Sequence, residues 1–223
     1  MPKRASIPRW ATLRAAPRLY AAMALVVVLG ACSHAVPLQP RADLPSLENK
    51  IDAVVGAYYP PDFQSLEWRE SRLGDVWIFP LGRSSVPLLN ATFAAAFMGT
   101  RPVAGRPPLP AGEAATDWVI ESRIEAFDFQ LPALKTGVYR ASITYRFTVV
   151  TADGAPLASW LVQGEGAKSG EFGFEFARWP GEAADLAMQD AARRFVEGIR
   201  QVPELATWLR AHGRRAEAPG NRS

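Results

Sequence analysis

The sequence is poor in two residue types that carry much of enzyme chemistry, with one cysteine and two histidines in 223 residues. The single cysteine, Cys32, excludes an intramolecular disulfide and leaves no cluster of cysteines and histidines for zinc. His34 follows it closely and His212 lies near the C-terminus, so we expect neither histidine in a structured pocket. This distribution argues against Ser-His-Asp and Cys-His triads and predicts a protein without a metal or a cofactor.

Acidic residues are absent from residues 1–31, which hold five basic residues: Lys3, Arg4, Arg9, Arg14 and Arg18. Removing those five from the 25 lysines and arginines leaves 20, against 22 aspartates and glutamates in the remaining chain. The basic isoelectric point therefore comes from the N-terminal segment. The remaining chain gives no electrostatic reason to expect a nucleic-acid partner.

The apolar run over residues 19–31 is short. As a helix it would span about 20 Å, against roughly 30 Å for a bilayer core. A basic segment, a short apolar run and small residues, in this order, are typical of a secretory signal peptide. We therefore predict a signal peptide over residues 1–31.

The tetrad Leu29-Gly30-Ala31-Cys32 resembles a lipobox, the sequence that the lipoprotein signal peptidase recognises. The resemblance implies that the peptidase recognises Leu29, Gly30 and Ala31, and that Cys32 carries a diacylglyceryl group and an N-acyl chain such as palmitate. Three acyl chains are sufficient for stable anchoring. By resemblance to the bacterial sorting pattern, Ser33 favours the periplasmic face of the outer membrane. The alternative is a buried cysteine that follows an uncleaved anchor.

The rest of the chain divides by composition. Residues 32–46 combine the lipidated cysteine with a proline-rich stretch, which predicts a flexible tether. Residues 47–209 predict one periplasmic domain, in which the proline-rich residues 100–112 are expected to form a mobile loop. Residues 210–223 are polar and basic, and we expect them to be disordered.

Strand patterns dominate the middle of the chain. Apolar and polar residues alternate over residues 138–151, as in a half-buried antiparallel strand, and Asp153-Gly154 predicts a hairpin turn before a return strand over residues 157–166. In residues 118–131 the apolar parity changes near Phe127, which predicts a β-bulge. Residues 47–59 fit either a helix or a strand. A strand from about Ala53 is favoured because valine and tyrosine prefer strands.

Two further patterns predict helices. After a short buried strand over residues 75–81, Ser84 or Ser85 would cap a helix that has Pro87 in its first turn. Residues 182–199 predict a second helix with Met188, Ala192, Phe195 and Ile199 as its apolar stripe. Together these elements predict an α+β fold, in which a mostly antiparallel sheet carries two main helices packed on one face.

A resemblance to known proteins rests on the lipobox, the segment FPLGRSSVPLLNATFAAAF, the hairpin ASITYRFTVVTADGAPLASW and the final helix. Together they are similar to small lipoproteins that face the periplasm: the YajG-like lipoproteins, the auxiliary lipoproteins of ABC-type lipid transport systems and the LPS-assembly lipoprotein. The likeness is architectural and covers roughly residues 50–200. It implies a non-catalytic partner of an envelope machine and assigns no functional residues.

Three features are candidates for chemistry. Glu121, Glu125 and Asp128 lie along one predicted strand. The first two would be about 13 Å apart at 3.3 Å per residue, beyond the ~5–9.5 Å of a glycosidase pair. The glycine- and phenylalanine-rich residues 165–176 could form an adaptable binding loop, although an ordinary loop is the simpler interpretation. Residues 82–85 at a helix N-terminus could hold an anion, although helix capping is the simpler interpretation.

Candidate binding residues lie on the polar face of the predicted sheet. Arg123, Arg140 and Arg146 would form a positive stripe for lipid phosphates or an acidic partner, unless they are ordinary solvated arginines. Trp179 is the expected exposed anchor, because tryptophan is enriched at interface hot spots. We therefore expect a lipid-anchored accessory or binding protein of an envelope assembly or lipid-transport system, with an envelope protein as its partner. A structural or peptidoglycan-contacting lipoprotein is the alternative, and a carboxylate-based hydrolase is the less favoured one.

Overall fold

A computed structural model of the chain describes residues 33–45, 47, 49–72, 74–110, 116–133, 136–171 and 177–212. The elements, in chain order, are β1 (Ser33–Ala35), β2 (Ile51–Tyr58), α1 (Pro61–Gln64), β3 (Trp68–Arg72), β4 (Asp75–Phe79), α2 (Leu81–Ala96), β5 (Phe97–Pro102), β6 (Trp118–Gln130), β7 (Thr136–Thr151), β8 (Pro156–Glu171), α3 (Arg178–Gly198), a 3-10 turn (Ile199–Gln201) and α4 (Pro203–His212). The fold of this part of the chain is mixed α/β. Within it, no helix is both long and apolar enough to cross a membrane.

The strands form two sheets, one of five strands in the order β5-β2-β6-β7-β8 and one of three in the order β1-β4-β3. Strands β6, β7 and β8 are antiparallel, as the sequence predicts. However, β2 runs parallel to both β5 and β6, and β1 runs parallel to β4. Both sheets are therefore mixed. In the larger sheet, the long connection that follows β2 permits its parallel pairings, which a short hairpin cannot make. The ambiguous residues 47–59 contain a strand.

The alternation predicted for β7 is confirmed. Its apolar residues Ala141, Ile143, Tyr145, Phe147 and Val149 are all buried. The predicted bulge in β6 lies between Ile124 and Ala126, where the pairing with β7 shifts by one residue. This shift keeps the apolar residues before and after the bulge on the same face of the sheet.

We call that face, which bears Phe127, Phe129, Tyr145 and Phe147, the inner face. Phe93 of α2 and Phe195 of α3 both contact Phe147, with ring centroids 6.2 and 4.6 Å apart. Phe79 of the smaller sheet lies 4.8 Å from each of Phe127 and Phe129. The hydrophobic core therefore extends along the inner face, and the opposite, outer face carries the polar residues of β6, β7 and β8.

Helix α3 approaches β8 along a row of glycines. A Cβ placed on Gly164 would lie 2.1 Å from the Ala187 carbonyl oxygen, and one on Gly166 would lie 2.0 Å from the Ala183 carbonyl oxygen. The helix backbone thus rests directly on the strand backbone, a distance that only glycine permits. This corrects the sequence interpretation, since residues 165–171 continue β8 and do not form a loop. Residues 172–176 lie outside the described part of the chain.

Helix α2 begins at Leu81, earlier than its sequence predicts, and has no side-chain cap. Ser85 lies inside the helix with no exposed surface, and its Oγ lies 2.8 Å from the Tyr145 hydroxyl. The capping prediction is therefore wrong, because this serine bonds to a core tyrosine instead. Pro87 is likewise inside the helix and not in its first turn.

The apolar stripe of the second predicted helix is confirmed. Met188, Ala192 and Phe195 of α3 are buried, and so is Ile199 in the following turn. The predicted disordered tail begins too early, since α4 continues to His212. Residues 213–223 lie outside the described residues.

Candidate functional site

The polar outer face carries an open groove of about 330 Å³ near the ends of β6 and β8 and the start of β7. Its polar lining comes from neighbouring positions of the three strands: Asp128, Gln130, Arg140, Ser142, Gln163 and Glu165. These side chains share one face because Asp128 pairs with Ser142, which in turn pairs with Glu165. The groove is thus fixed by the register of the antiparallel strands.

Arg123 and Arg146 lie directly opposite each other on β6 and β7. Two like charges in this position repel, and neighbouring carboxylates relieve the repulsion. The Arg123 Nε lies 2.7 Å from Glu121 and the Arg146 Nε lies 2.6 Å from Glu125. Arg123 also contacts Asp62 of α1 at 3.2 Å. The expected stripe therefore alternates in sign at these two arginines, and their binding role stays a prediction.

Glu121 is the most buried carboxylate of this network, with a side chain 13% exposed. The Arg106 guanidinium, which donates to both of its oxygens at 2.5 and 2.7 Å, holds the pKa of Glu121 below its ordinary value. Burial acts in the opposite direction and the bond from Arg123 adds to the lowering. Glu121 is therefore held as an anion and links the loop that carries Arg106 to the sheet.

Arg140 differs from the other two predicted arginines. It is exposed, lies in the groove, and has no ion-pair partner among the residues that the structure describes. Its neighbours across the strands are Gln130 and Ala167. A guanidinium carries five N–H donors in a planar fork, which fits a carboxylate or a phosphate.

Trp179 lies in the first turn of α3 and is half-buried. Its ring rests on Gly170 of β8, where an added Cβ would lie 2.4 Å from it. The Arg178 guanidinium lies over the same ring, 5.0 Å from its centroid. The side chain is thus held on the domain surface beside a cation, which is more enclosed than the exposed anchor that its sequence position predicts.

The groups considered for catalysis or anion binding already make contacts within the domain. Glu121 and Glu125 each contact an arginine, and Asp128 lies 2.9 Å from Arg72. Gly82 does not open a phosphate-binding turn, because its N–H donates to the Leu66 carbonyl oxygen at 3.0 Å. In the described ranges, no group of three histidine, cysteine, aspartate or glutamate side chains comes together to hold a metal ion.

The lipobox residues Leu29, Gly30, Ala31 and Cys32 lie outside the described residues. The first described residue, Ser33, already belongs to β1 and pairs with Val76 of β4. His34 is half-buried beside Trp77, with ring centroids 5.2 Å apart, and its Nε2 lies 3.4 Å from Asp75. His34 therefore contacts two side chains of the folded domain, which its position beside the lipobox does not predict.

The chain after β1 also packs on the domain. Val36 is 1% exposed and its N–H donates to the Ile78 carbonyl oxygen at 2.9 Å. The Gln39 N–H donates to both carboxylate oxygens of Asp185 on α3, at 3.0 and 3.1 Å. Residues 33–39, which we call the N-terminal segment, are therefore attached to the domain. The tether predicted over residues 32–46 is not free at this end.

Asp185 is the most strongly perturbed carboxyl of this region. Burial raises its pKa to about 6, against the lowering effect of the Gln39 N–H, and the nearby Glu182 adds to the rise. Sequence patterns did not identify this residue, because one aspartate in a polar helix turn looks like any solvated one. The glycine row of β8 did leave a signal: glycines two apart in a strand precede a helix with alanines four apart.

No family model matches the chain, and no curated protein matches it. Among solved structures, a Xanthomonas campestris protein of the DUF330 family is similar with a TM-score of 0.48 and 9% identity, over 79% of this chain and 99% of that one. A putative lipoprotein from Caulobacter crescentus has a TM-score of 0.38 and 12% identity, over 70% of this chain and 90% of that one. A minor lipoprotein from Acinetobacter baumannii has a TM-score of 0.36 and 11% identity, over 67% and 94%.

Proposed function

We propose that this chain is a lipoprotein anchored through Cys32 at the periplasmic face of the outer membrane. In this proposal its domain is a non-catalytic accessory protein that binds an envelope partner involved in assembly or lipid transport. The signal peptide and lipobox pattern of residues 1–32 support the address. The groove on the outer face supports the binding role.

Arg140 is the observation that carries the binding role. The charges of Arg123 and Arg146 are met by carboxylates of the same domain, whereas Arg140 is exposed in the groove. The groove lining also includes the carboxylates of Asp128 and Glu165, and within the described residues neither forms an ion pair with Arg140. A partner that presents a carboxylate or a phosphate would satisfy this guanidinium with charge-assisted hydrogen bonds. The polar neighbours Gln130, Ser142 and Gln163 would fix the orientation of that group.

The test is a crosslinking pull-down from native membranes with the wild-type chain, a Cys32→Ser variant, an Arg140→Glu variant and an Arg83→Glu variant. Arg83 is an exposed arginine on α2 and serves as the matched charge-reversal control. We expect one envelope component to enrich with wild type and with Arg83→Glu, and to be lost with Arg140→Glu. Equal enrichment with all four chains would contradict the proposal.

The alternative is a structural lipoprotein that contacts the cell wall. It predicts that the chain sediments with purified peptidoglycan sacculi and that no single protein enriches in the pull-down. Mass spectrometry of the N-terminal peptide reads the lipid separately, since an acylated Cys32 is required by both roles.

A further inference from the structure

The distance between the lipidation site and the folded domain is one peptide bond. Cys32 is followed immediately by β1, whose three residues pair in register with Val76, Trp77 and Ile78. Consecutive Cα atoms are about 3.8 Å apart. A lipid on Cys32 therefore fixes Ser33 at the depth of the lipid headgroups, with no tether between the membrane and the sheet.

The direction of the N-terminal segment identifies the end of the molecule that carries this attachment. Going along the chain, the Pro37 backbone packs on Gly181, and the Gln39 N–H donates to Asp185 four residues further along α3. The segment thus runs in the same direction as α3. Its start at Ser33 therefore lies at the end of the domain where α3 begins.

The strands place a defined surface at that same end. Trp179 in the first turn of α3 packs on Gly170 near the end of β8, and Val138 near the start of β7 pairs with Ser169. The turn that follows β6 reaches the same end, because Gln130 pairs with Arg140. We call this surface, formed by residues 131–133, Val138 and the first turn of α3, the anchor end.

The composition of the anchor end suits a lipid surface. Val138 is 41% exposed although it is an apolar strand residue. The Arg178 guanidinium lies over the Trp179 ring and pairs a cation with an aromatic side chain. Tryptophan favours the headgroup region of a membrane, because its ring is largely apolar and its N–H can contact water. Lys168 lies beside them and contacts Glu182 at 2.6 Å.

We infer that the domain lies directly on the lipid surface through its anchor end, with the β7–β8 hairpin directed away from the membrane. The inference rests on the proposed lipidation of Cys32. From Val138 to the end of β7 at Thr151, just before the hairpin turn, the strand extends about 43 Å at roughly 3.3 Å per residue. The outer-face groove lies between Val138 and the hairpin turn, close to the anchor end. A partner in the groove would therefore bind close to the lipid headgroups.

The experiment uses the acylated full-length protein in vesicles of phosphatidylethanolamine and phosphatidylglycerol that contain headgroup spin-labelled lipid. Because Cys32 is the only cysteine of the sequence and its thiol is consumed by the lipid, Val138→Cys and Asp153→Cys each take a fluorophore at a single position. We expect quenching by the spin label to be several-fold stronger at position 138 than at position 153. A third chain, with twelve glycine and serine residues inserted between Cys32 and Ser33 in the Val138→Cys background, should lose most of that quenching.

Each outcome decides the inference. Equal quenching at the two positions, or unchanged quenching after the insertion, would overturn it while leaving the lipoprotein assignment intact. Mass spectrometry of the N-terminal peptide separates the two questions. An unmodified Cys32 would overturn the proposed function and the inference together, whereas acylation with equal quenching would overturn the inference alone.

Discussion

Replacement of Gly166 by alanine tests the close contact between α3 and β8. The new Cβ would lie 2.0 Å from the Ala183 carbonyl oxygen, whereas ordinary van der Waals contact begins at 3.4 Å. Strand and helix would have to separate by about 1.4 Å, which weakens the dispersion contacts of every neighbouring pair. Overpacking of a well-packed core costs about 1–3 kcal/mol, and a clash between two backbones belongs at the upper end, near 3 kcal/mol.

The assay is urea unfolding of the Cys32→Ser chain without its signal peptide, followed by far-UV circular dichroism. With a slope of about 2 kcal/mol per molar urea, a loss of about 3 kcal/mol lowers the midpoint by about 1.5 M. Gly198→Ala is the matched control, since an added Cβ there meets nothing within 4 Å. Alanine should stabilise that position by about 0.5–1 kcal/mol, because it restricts the unfolded chain.

Two results would refute this reasoning. The first is a Gly166→Ala midpoint equal to that of Gly198→Ala, which would mean that α3 does not rest on the strand backbone. The second is rescue of Gly166→Ala by Ala183→Gly. The clashing atom is a carbonyl oxygen, which that change leaves in place, so no rescue is expected.

Three further predictions concern named polar contacts. Glu121→Gln should lower the free energy of unfolding at pH 7 by about 1 kcal/mol. Because the pKa of Glu121 is lowered in the folded state, this difference from wild type should vanish as the pH falls through that pKa. Unfolding titrations across acidic pH measure the difference. The pKa of Asp185 is raised from 3.8 to about 6 in the folded state, so the stability of the wild type should fall as the pH rises between those values. Asp185→Asn should remove this dependence of stability on pH, which thermal unfolding at pH 4 and pH 7 measures. Tyr145→Phe should lower the free energy of unfolding by about 1–2 kcal/mol, because the Ser85 Oγ is left buried without its partner. The double variant with Ser85→Ala should lose less stability than the sum of the two single variants, as measured by urea unfolding.

Strand periodicity predicted β6, β7 and β8 well, because the alternation of apolar and polar residues is a local pattern. The alternation in β7 and the parity change in β6 both record which side chains face the core, so the strands and the bulge near Phe127 could be read without a structure. The parallel pairings of β2 could not, since pairing partners distant in sequence leave no local pattern. Residues 33–39 look like a linker for the same reason. Their polar backbone groups are met by β4 and α3, which lie far away in the chain.

The candidate site was predicted in part. The three arginines were identified from alternation. The partners of Arg123 and Arg146 are Glu121 and Glu125 on β6 and Asp62 on α1, and the sequence does not show which of these carboxylates meets which arginine. The isolation of Arg140 is a property of the folded face and not of its neighbours in the chain.

The bulge in β6 makes the length of that strand as constrained as its composition. Trp118 and Ile120 lie before it, and Phe127 and Phe129 lie after it, on opposite parities that the extra residue brings to one face. Deletion of one residue at this point would turn two phenylalanines to solvent without changing a single core side chain. Insertions and deletions between Ile124 and Ala126 should therefore be harmful even where substitutions of the exposed Glu125 are tolerated, which distinguishes this position from a surface loop of equal exposure.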